Sequence, residues 1–340
     1  MKPAINSAPR VAEVTGVTPE VFAREIVPGY RPVVMRGLAA HWPAVAAGRG
    51  GVRPTSDYLR RFDGGRPVRV FAGAPEIGGR FFYRDDHRGV NFQTAQILLP
   101  LLLDALVAEA GRPQSAALYA GSASAAEHYP GWAEANPLPL PVGDATPRLW
   151  VGNASRVTTH YDMSDNVAVV VAGRRRFALF PPDQLSNLYV GPLENTLAGQ
   201  PVSMVDLEAP DFDRFPRFAD ALAAMQVAEL EPGDALFIPS LWWHDVRATG
   251  ALNVLANYWW GTAGDGSAFA ALIHAVLGVR DLPPGARDAM RSWFDHYVFD
   301  ADAGDAAGHL PPHARGVLGP PTPERDRFIR DYLRRTLDRG

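Results

Sequence analysis

The 340-residue chain is 47% hydrophobic and 21% charged, a composition typical of a globular protein with a sizeable core. Its formal net charge of −4 excludes a global basic field, so we do not expect nucleic acid as a partner. The lack of cysteine excludes disulfides, thiolate metal sites and cysteine nucleophiles. MKPAINSAPRVAEV has no apolar core of a signal peptide, and no run approaches the roughly 18 apolar residues of a membrane span. We therefore expect a cytoplasmic protein that does not enter a membrane.

The first part of the chain mixes helices with short strands. TPEVFAREIV has helical periodicity, RPVVMRG is extended, and HWPAV indicates a turn. The segments GRPVRVFAG, GRFFYRD and VNFQ indicate short strands separated by glycine-rich turns. Thr94 to Ala110 follows a helical pattern, and SAALYAG returns to strand character.

From Pro147 to about Trp260 the chain is rich in β-branched and aromatic runs. Their short length and regular Gly and Pro turns favour a β-barrel or sandwich, interrupted by one helix in PDFDRFPRFADALAAMQVAEL. After Gly261 three segments have helical periodicity: AFAALIHAVLGV, ARDAMRSWFDHYVF and PERDRFIRDYLRRTL. We predict a mainly β domain with helices over residues 1–263 and a helical region over residues 264–340.

A candidate metal site begins in the stretch THYDMSDN. Alternation along a strand places His160 and Asp162 on one face, as two ligands of one metal require. His244 ends the apolar run ALFIPSLWWH and could complete a set of two histidines and one carboxylate, which suits Fe(II) with open positions. The alternative is a core histidine that is hydrogen-bonded to a carboxylate and binds no metal.

Three arginines follow the next apolar run. If Gly173 and Arg174 form a two-residue hairpin turn, Arg175 points inward beside Asn166, while Arg174 and Arg176 point outward. An inward arginine near a metal would bind an anion, because its planar fork matches a carboxylate. In the alternative, all three arginines are solvated turn residues. Since Lys2 is the only lysine among 33 basic residues, a bias typical of a whole genome, a single arginine is weak evidence of function.

Several motifs together resemble the cupin-like, Jumonji-type branch of the Fe(II)- and 2-oxoglutarate-dependent oxygenases. They are HYD at 160–162, the GRRRFALFPP turn and strand, PSLWWH at 239–244 and NYW at 257–259, with PVVMRG and HWPA near the N-terminus. The resemblance spans most of residues 20 to 265. It implies a double-stranded β-helix (cupin or jelly-roll) core with flanking N-terminal and C-terminal helices, in which His160, Asp162 and His244 bind Fe(II).

The resemblance also implies a site for 2-oxoglutarate, whose far carboxylate is held deep in the barrel. Carried over residue by residue, that site consists of Tyr119, Asn166, Arg175 and Asn257, with Thr158 a weaker match one residue from the family's usual position. The departure is Arg175, which stands where the family usually has lysine. Because an arginine fork is not equivalent to an ammonium, either Arg175 binds 2-oxoglutarate or the co-substrate is different.

The same resemblance implies that the protein hydroxylates a C–H bond of a protein or peptide side chain and releases succinate and CO2. The C-terminal helices have apolar faces that must be covered, and in the resembling family such a region often forms a homodimer. A second class of function remains open: a metal-binding cupin that acts as an isomerase or as a sensor of a small acid. Asp165 and Asp245, next to the candidate ligands, are either supporting or surface residues.

Overall fold

The computed structural model describes residues 5–86, 88–197, 199–261, 267–300 and 302–337. The chain divides into two compact units, and their described parts are residues 5–261 and 267–337. The boundary predicted between residues 263 and 264 lies outside the described residues. The assignment of a catalytic role to the first unit and of dimerisation to the second stays a prediction.

The strands of the first unit form two sheets. One sheet has nine strands in the order β1-β2-β12-β9-β14-β7-β6-β3-β5, and the other has five in the order β11-β10-β13-β8-β4. The strands are β1 (Ala12–Thr15), β2 (Val33–Arg36), β3 (Val68–Gly73), β4 (Arg80–Phe81), β5 (Gln93–Ile97), β6 (Ala117–Ser124), β7 (Arg148–Gly152), β8 (Ser155–His160), β9 (Asp165–Ala172), β10 (Arg175–Phe180), β11 (Gln226–Leu230), β12 (Ala235–Ile238), β13 (Trp243–Ala248) and β14 (Asn253–Trp260).

Helices flank these sheets and make up most of the second unit. In the first unit they are α1 (Pro19–Val21), α2 (Pro43–Arg49), α3 (Val52–Arg60), α4 (Leu99–Glu109), α5 (Ala125–His128), α6 (Trp132–Ala135) and α7 (Phe218–Ala224). In the second unit they are α8 (Ser267–Gly278), α9 (Pro284–Phe294) and α10 (Pro323–Leu337).

The chain alternates between the two sheets along its central part. β7, β9, β12 and β14 belong to the large sheet, whereas β8, β10, β11 and β13 belong to the small sheet. Successive strands therefore wind back and forth around one interior, which is the double-stranded β-helix. The predicted fold class is confirmed.

The apolar run of β9 is buried along almost its whole length because both of its faces are covered. Ala168 and Val170 point between the sheets, together with apolar residues of β10, β12 and β14. Val167, Val169 and Val171 point to the other side, where helices of the first unit pack. Helix α2 lies so close to β9 that a Cβ atom on Gly48 would be 2.0 Å from the Val171 carbonyl oxygen. Glycine at position 48 thus permits the contact.

The predicted pairing of the two strands around Gly173 is wrong. β9 pairs with β12 and β14, and β10 pairs with β11 and β13, so the chain crosses from one sheet to the other at Gly173 and Arg174. Residues that were expected to be neighbours in one sheet instead face each other across the interior. The inward direction of Arg175 survives, because inner residues still alternate along β10.

Two predicted helices are shorter than the pattern indicated. Gln93–Ile97 is strand β5, which pairs with β3, and helix α4 begins only at Leu99, just before Pro100. In the segment after Pro210, only Phe218–Ala224 is helical, and Gln226–Leu230 is a strand that pairs with β10. In both places sheet pairing outweighs a local helical period.

The second unit contains the three helices that the sequence predicted. Many of its large apolar side chains are exposed, including Leu272, Leu277, Trp293, Phe299, Phe328 and Tyr332. In the described part of the chain, no helix combines the length and the apolar character needed to cross a membrane.

Candidate metal centre and adjoining cavity

Three of the predicted residues meet at one end of the barrel interior. His160 ends β8, and His244 lies directly opposite it on the neighbouring strand β13. Asp162 follows β8 by two residues. The ligand atoms of these three side chains all lie within 4.8 Å of one another. This arrangement offers two nitrogens and one carboxylate oxygen to a single metal ion.

The backbone fixes which nitrogen of each histidine is free. His160 Nδ1 lies 2.8 Å from the Thr158 carbonyl oxygen, and His244 Nδ1 lies 3.0 Å from the Trp242 carbonyl oxygen. Because a carbonyl oxygen only accepts hydrogen bonds, each Nδ1 must carry the proton. In the neutral ring with this tautomer, Nε2 keeps its lone pair, as a metal ligand requires.

His244 is held in its neutral form. It is 3% exposed, and burial lowers its pKa to about 4, with the nearby His160 acting in the same direction and Asp162 opposing. The neutral ring needs no counter-charge to remain buried at neutral pH. It is thus ready to coordinate a metal without first losing a proton.

A chain of hydrogen-bonded polar side chains orients Asp162. Trp259 donates from Nε1 to Asp162 Oδ2 at 3.2 Å, and Asn166 Nδ2 lies 3.5 Å from the same oxygen. Asn257 Nδ2 donates in turn to Asn166 Oδ1 at 3.0 Å. Such hydrogen bonds hold a ligating carboxylate in one orientation.

The turn before β13 is tied to the same region. Asp165 Oδ1 accepts a hydrogen bond from the Ser240 amide at 2.9 Å, and the Leu241 amide donates to the Asp162 carbonyl at 2.8 Å. Leu241 has a φ of +64°, a left-handed conformation that is uncommon for a leucine. Asp165 is therefore a supporting residue of the turn that leads into His244.

Asp245 points away from the metal side chains, since neighbouring residues of a strand face opposite sides. Thr159 Oγ1 donates to its Oδ2 at 3.4 Å. Burial raises the pKa of Asp245 to about 7, against the opposing charges of Arg156 and Arg176. Arg176 also lies on the outer face and forms an ion pair with Glu208, while Arg174 is exposed at the turn.

A cavity of about 280 Å³ opens from the three metal-capable residues into the barrel. All five residues assigned to 2-oxoglutarate by resemblance line it: Tyr119, Thr158, Asn166, Arg175 and Asn257. Arg175 reaches it from β10 in the small sheet, and Tyr119 from β6 in the large sheet. Burial raises the pKa of Tyr119, whereas the charge of Arg175 and a side-chain hydrogen bond to it act in the opposite direction.

Several polar atoms in this cavity have no partner within the described residues. Arg175 is 3% exposed, yet its Nε and Nη2 atoms make no hydrogen bond in the described part of the chain. Thr158 Oγ1 and Asn257 Oδ1 are likewise buried and unpaired there. A buried guanidinium without an anion is costly, because burial removes its hydration. The Arg175 N–H groups and the Thr158 hydroxyl can donate to a small, oxygen-rich anion such as a dicarboxylate, whereas the Asn257 carbonyl oxygen can only accept a hydrogen bond.

The cavity also has an aromatic wall that the motifs only partly indicated. Phe81 stacks on Tyr119 with ring centroids 5.9 Å apart, and the ring centroids of Trp259 and Trp150 are 6.0 Å apart. Trp260 instead packs in the core on Phe237. The sequence did not single out four other aromatic residues of the cavity: Phe71, Phe92, Trp150 and Phe177. Alternation along β3, β7 and β10 could have indicated Phe71, Trp150 and Phe177.

Comparison with known proteins agrees with this architecture. Residues 18–266 match the model of the cupin-like domain, which covers more than half of the chain. The chain belongs to the cupin-like domain family. The resemblance inferred from the motifs is therefore confirmed, including its Jumonji-type character.

Curated relatives of this cupin-like protein have been given several names. Lysine-specific demethylase 8 of Xenopus tropicalis is 27% identical over 76% of this chain and 54% of its own length. The tRNA wybutosine-synthesizing protein 5 of Gallus gallus is 26% identical over 74% of this chain and 77% of its own length. Lysine-specific demethylase JMJ31 of Arabidopsis thaliana is 38% identical over 33% of this chain and 20% of its own length. The chain thus spans about half, or less, of the two demethylases.

Proposed function

We propose that this protein is an Fe(II)- and 2-oxoglutarate-dependent oxygenase that hydroxylates a C–H bond of a protein or peptide side chain. The observation that carries the proposal is one cavity with a three-ligand metal set at one end and a buried, incompletely paired arginine in its wall. Family membership supports the same chemistry.

In this proposal His160, Asp162 and His244 hold Fe(II) through His160 Nε2, an Asp162 carboxylate oxygen and His244 Nε2. Three protein ligands leave other coordination positions open for a co-substrate and O2. When bound, iron and 2-oxoglutarate supply an oxidation in which one atom of O2 enters a substrate C–H bond and the other enters succinate as CO2 leaves. The chain itself supplies orientation, through the hydrogen bonds of Trp259 and Asn166 to Asp162.

Arg175 in this proposal binds the carboxylate of 2-oxoglutarate that lies farther from the metal. Its Nε and Nη2 atoms lie on one edge of the guanidinium and can donate two parallel hydrogen bonds to the two oxygens of a carboxylate. Tyr119, Thr158 and Asn257 add polar atoms around the same molecule, and Asn166 links this group to Asp162. Arginine in place of the usual lysine is thus compatible with the co-substrate.

The names of relatives support a macromolecular substrate, since they include lysine-specific demethylases and a tRNA-modifying protein. We propose a protein or peptide rather than RNA, because the net charge of −4 provides no general attraction for a polyanion. A cytoplasmic location stays a prediction.

The test is an anaerobic titration of the Fe(II)-loaded protein with 2-oxoglutarate, followed by the admission of O2. The expected result is a visible metal-to-keto-acid charge-transfer band and then succinate. Metal binding without the band and without succinate would overturn the proposal, and would favour a cupin with another small acid or a non-oxidative activity.

We also propose that the second unit forms a homodimer. Four large apolar residues of this unit are exposed, with 51% to 72% of the surface of each residue accessible to solvent: Leu277, Trp293, Phe299 and Phe328. Apolar area of this kind is stabilised by contact with another copy. Sedimentation should give a dimer for the natural chain and a monomer for Leu277→Glu combined with Phe299→Glu. A natural chain that sediments as a monomer at micromolar concentration would contradict the homodimer.

A further inference from the structure

The large sheet continues outward from the cavity and carries two arginines beside it. On β3, Arg69 and Phe71 share one face, and both line the cavity. On β7, Arg148 shares the face of Trp150, which also lines the cavity. Arg69 and Arg148, called here the rim arginines, therefore lie on the cavity side of neighbouring parts of one sheet.

A β-bulge in β6 lies between the rim arginines. The pairing of β6 with β7 shifts between Ala120 and Ala123, so Gly121 and Ser122 together lie opposite the single residue Trp150, and β6 carries one extra residue. Ser122 has a φ of +56°, which is strained for a serine. A Cβ atom on Gly121 would lie 2.9 Å from the Trp150 ring, so any other residue at position 121 would displace that ring. The bulge turns both residues toward the cavity.

The bulge fixes Arg148 close to the candidate metal site. Arg148 Nε donates to Ser122 Oγ at 2.7 Å, and its guanidinium lies 5.9 Å from the Trp259 ring centroid. The same indole donates to Asp162. One indole ring thus separates a cation from a candidate ligand of the metal, on the side of the cavity away from Arg175's strand.

Neither rim arginine has an acidic partner in the described part of the chain. Within the described residues no carboxylate lies within 4.0 Å of Arg69 or Arg148, although most other ordered arginines of the two sheets are paired. Arg69 lies 5.0 Å from the Phe71 ring and is otherwise exposed. The Trp150 Nε1 donor is also buried without a partner there. Donor groups with unused capacity therefore lie on β3 and β7, two strands that are separated only by β6.

We infer that the rim arginines bind an acidic side chain of a peptide substrate, an Asp or Glu that flanks the oxidised residue. This inference rests on the proposed function, because it places the substrate in that same cavity. An extended chain spans at most about 3.6 Å per residue, so an acid separated from the oxidised residue by about one to three positions reaches the rim. The guanidinium groups supply charge-assisted hydrogen bonds, and the aromatic wall packs the intervening chain.

A peptide fits these observations better than RNA. Phosphate backbones are bound by many cations along a path, whereas here two arginines without an acidic partner among the described residues lie on either side of one bulge. The chain as a whole is acidic, so distant attraction would not favour a polyanion. Two local cations match one carboxylate.

The experiment compares three pools for retention by the Fe(II)- and 2-oxoglutarate-loaded protein under anaerobic conditions. The acidic pool consists of peptides with a varied central residue and one Asp or Glu within three positions of it. The amide pool has Asn or Gln at the same positions, and the third pool consists of random oligoribonucleotides. Retained molecules are identified by mass spectrometry, before and after O2 is admitted.

We expect the acidic pool to be retained at least about 10-fold more than the amide pool, and its members to gain one oxygen atom after O2 is admitted. Arg69→Gln and Arg148→Gln should each remove this preference, whereas Arg53→Gln, an exposed arginine of α3, should keep it. Arg69→Gln alone decides the matter if Arg148→Gln unfolds, because Arg69 is at the surface.

Two outcomes would overturn the inference. Equal retention of both peptide pools, or a preference that the rim variants leave unchanged, would show that the arginines do not select acid. If the protein retained oligoribonucleotides and the rim variants lost that retention, the arginines would bind phosphate instead. If the loaded protein shows the charge-transfer band but retains the acidic and amide pools equally, only this inference is wrong. If the band is missing, the proposed function is contradicted.

Discussion

The two ends of the cavity differ in how their polar atoms are satisfied. At the metal end, His160 Nδ1, His244 Nδ1 and the Asp162 carboxylate all have hydrogen-bond partners within the chain. At the other end, Arg175 Nε, Arg175 Nη2 and Thr158 Oγ1 have none among the described residues.

The protein alone therefore orients the metal end, whereas the Arg175 end needs a ligand to satisfy its polar atoms. The metal end is oriented by the protein alone, so its geometry should persist without a ligand and be lost only when a ligating side chain is removed. The Arg175 end carries an uncompensated desolvation cost that an anion would offset. Mutations at the two ends should therefore affect different quantities.

Removal of a candidate ligand should have the largest effect. We expect His160→Ala and His244→Ala each to reduce Fe(II) affinity by more than about 100-fold, beyond the effect of losing only a supporting hydrogen bond. Anaerobic isothermal titration would measure the affinity, and circular dichroism should show a largely intact fold. His41→Ala, an exposed histidine, is the control and should bind like the natural protein. Tight metal binding by either ligand variant would refute the triad.

Removal of the cavity arginine should separate co-substrate binding from metal binding. We expect Arg175→Ala to weaken 2-oxoglutarate by at least about 30-fold, the size of a lost buried charge pair, with Fe(II) affinity changed much less. Arg174→Ala is the matched control because that neighbouring side chain is 74% exposed. Arg175→Lys should lie between the two, since an ammonium keeps the charge without the fork.

Unchanged 2-oxoglutarate affinity in Arg175→Ala would mean that this arginine serves another ligand. It would leave the metal end unaffected, because the hydrogen bonds that orient His160, His244 and Asp162 do not involve Arg175. The comparison between the ends would then hold while the identity of the co-substrate changed.

Arg175 also shows how far the sequence could predict this site. The expectation that Arg175 points inward was right although it depended on a hairpin register, because Arg175 shares the face of the inner residues Phe177 and Leu179 of β10. The pairing of β9 with β10 was wrong, since a short turn is compatible with both a hairpin and a crossing between sheets. Tertiary closure of the barrel decides between them, and no local pattern encodes it.

The metal side chains were predictable for a different reason. His160 and Asp162 are close in sequence, and the environment of His244 in an apolar run called for a partner. The rim arginines could not be found in this way, because the bulge at Gly121 and Ser122 that brings them together has no sequence signal stronger than one glycine. Only the start of the helix predicted from Thr94 was wrong, since β5 forms there by pairing with β3.

Loss of one supporting donor should have a smaller effect at the metal end. Trp259→Phe keeps an aromatic ring but removes the Nε1 donor to Asp162, and we expect Fe(II) affinity to fall about 10-fold. Trp260→Phe is the matched control, because Trp260 packs on Phe22 and Phe237 in the core. Equal metal affinity in both variants would show that the indole hydrogen bond does not orient Asp162.

The smallest effect should distinguish two adjacent threonines. Thr158 Oγ1 is buried without a partner in the described residues, whereas Thr159 Oγ1 donates to Asp245. Replacing an unpaired buried hydroxyl by a methyl group removes a desolvation cost, so Thr158→Val should raise the free energy of unfolding of the metal-free protein by about 1 kcal/mol. The same change should weaken 2-oxoglutarate about threefold, because the co-substrate loses one hydrogen bond.

Thr159→Val should behave in the opposite way. It leaves the Asp245 carboxyl without its threonine partner on the outer face of the sheet, so the free energy of unfolding should fall by about 1 kcal/mol while 2-oxoglutarate affinity stays unchanged. Urea unfolding of the metal-free variants and titration of the loaded ones would measure both quantities. If Thr158→Val destabilised the metal-free protein as much as Thr159→Val does, the Thr158 hydroxyl would already be satisfied without a ligand. The contrast between the two ends of the cavity would then be confined to Arg175.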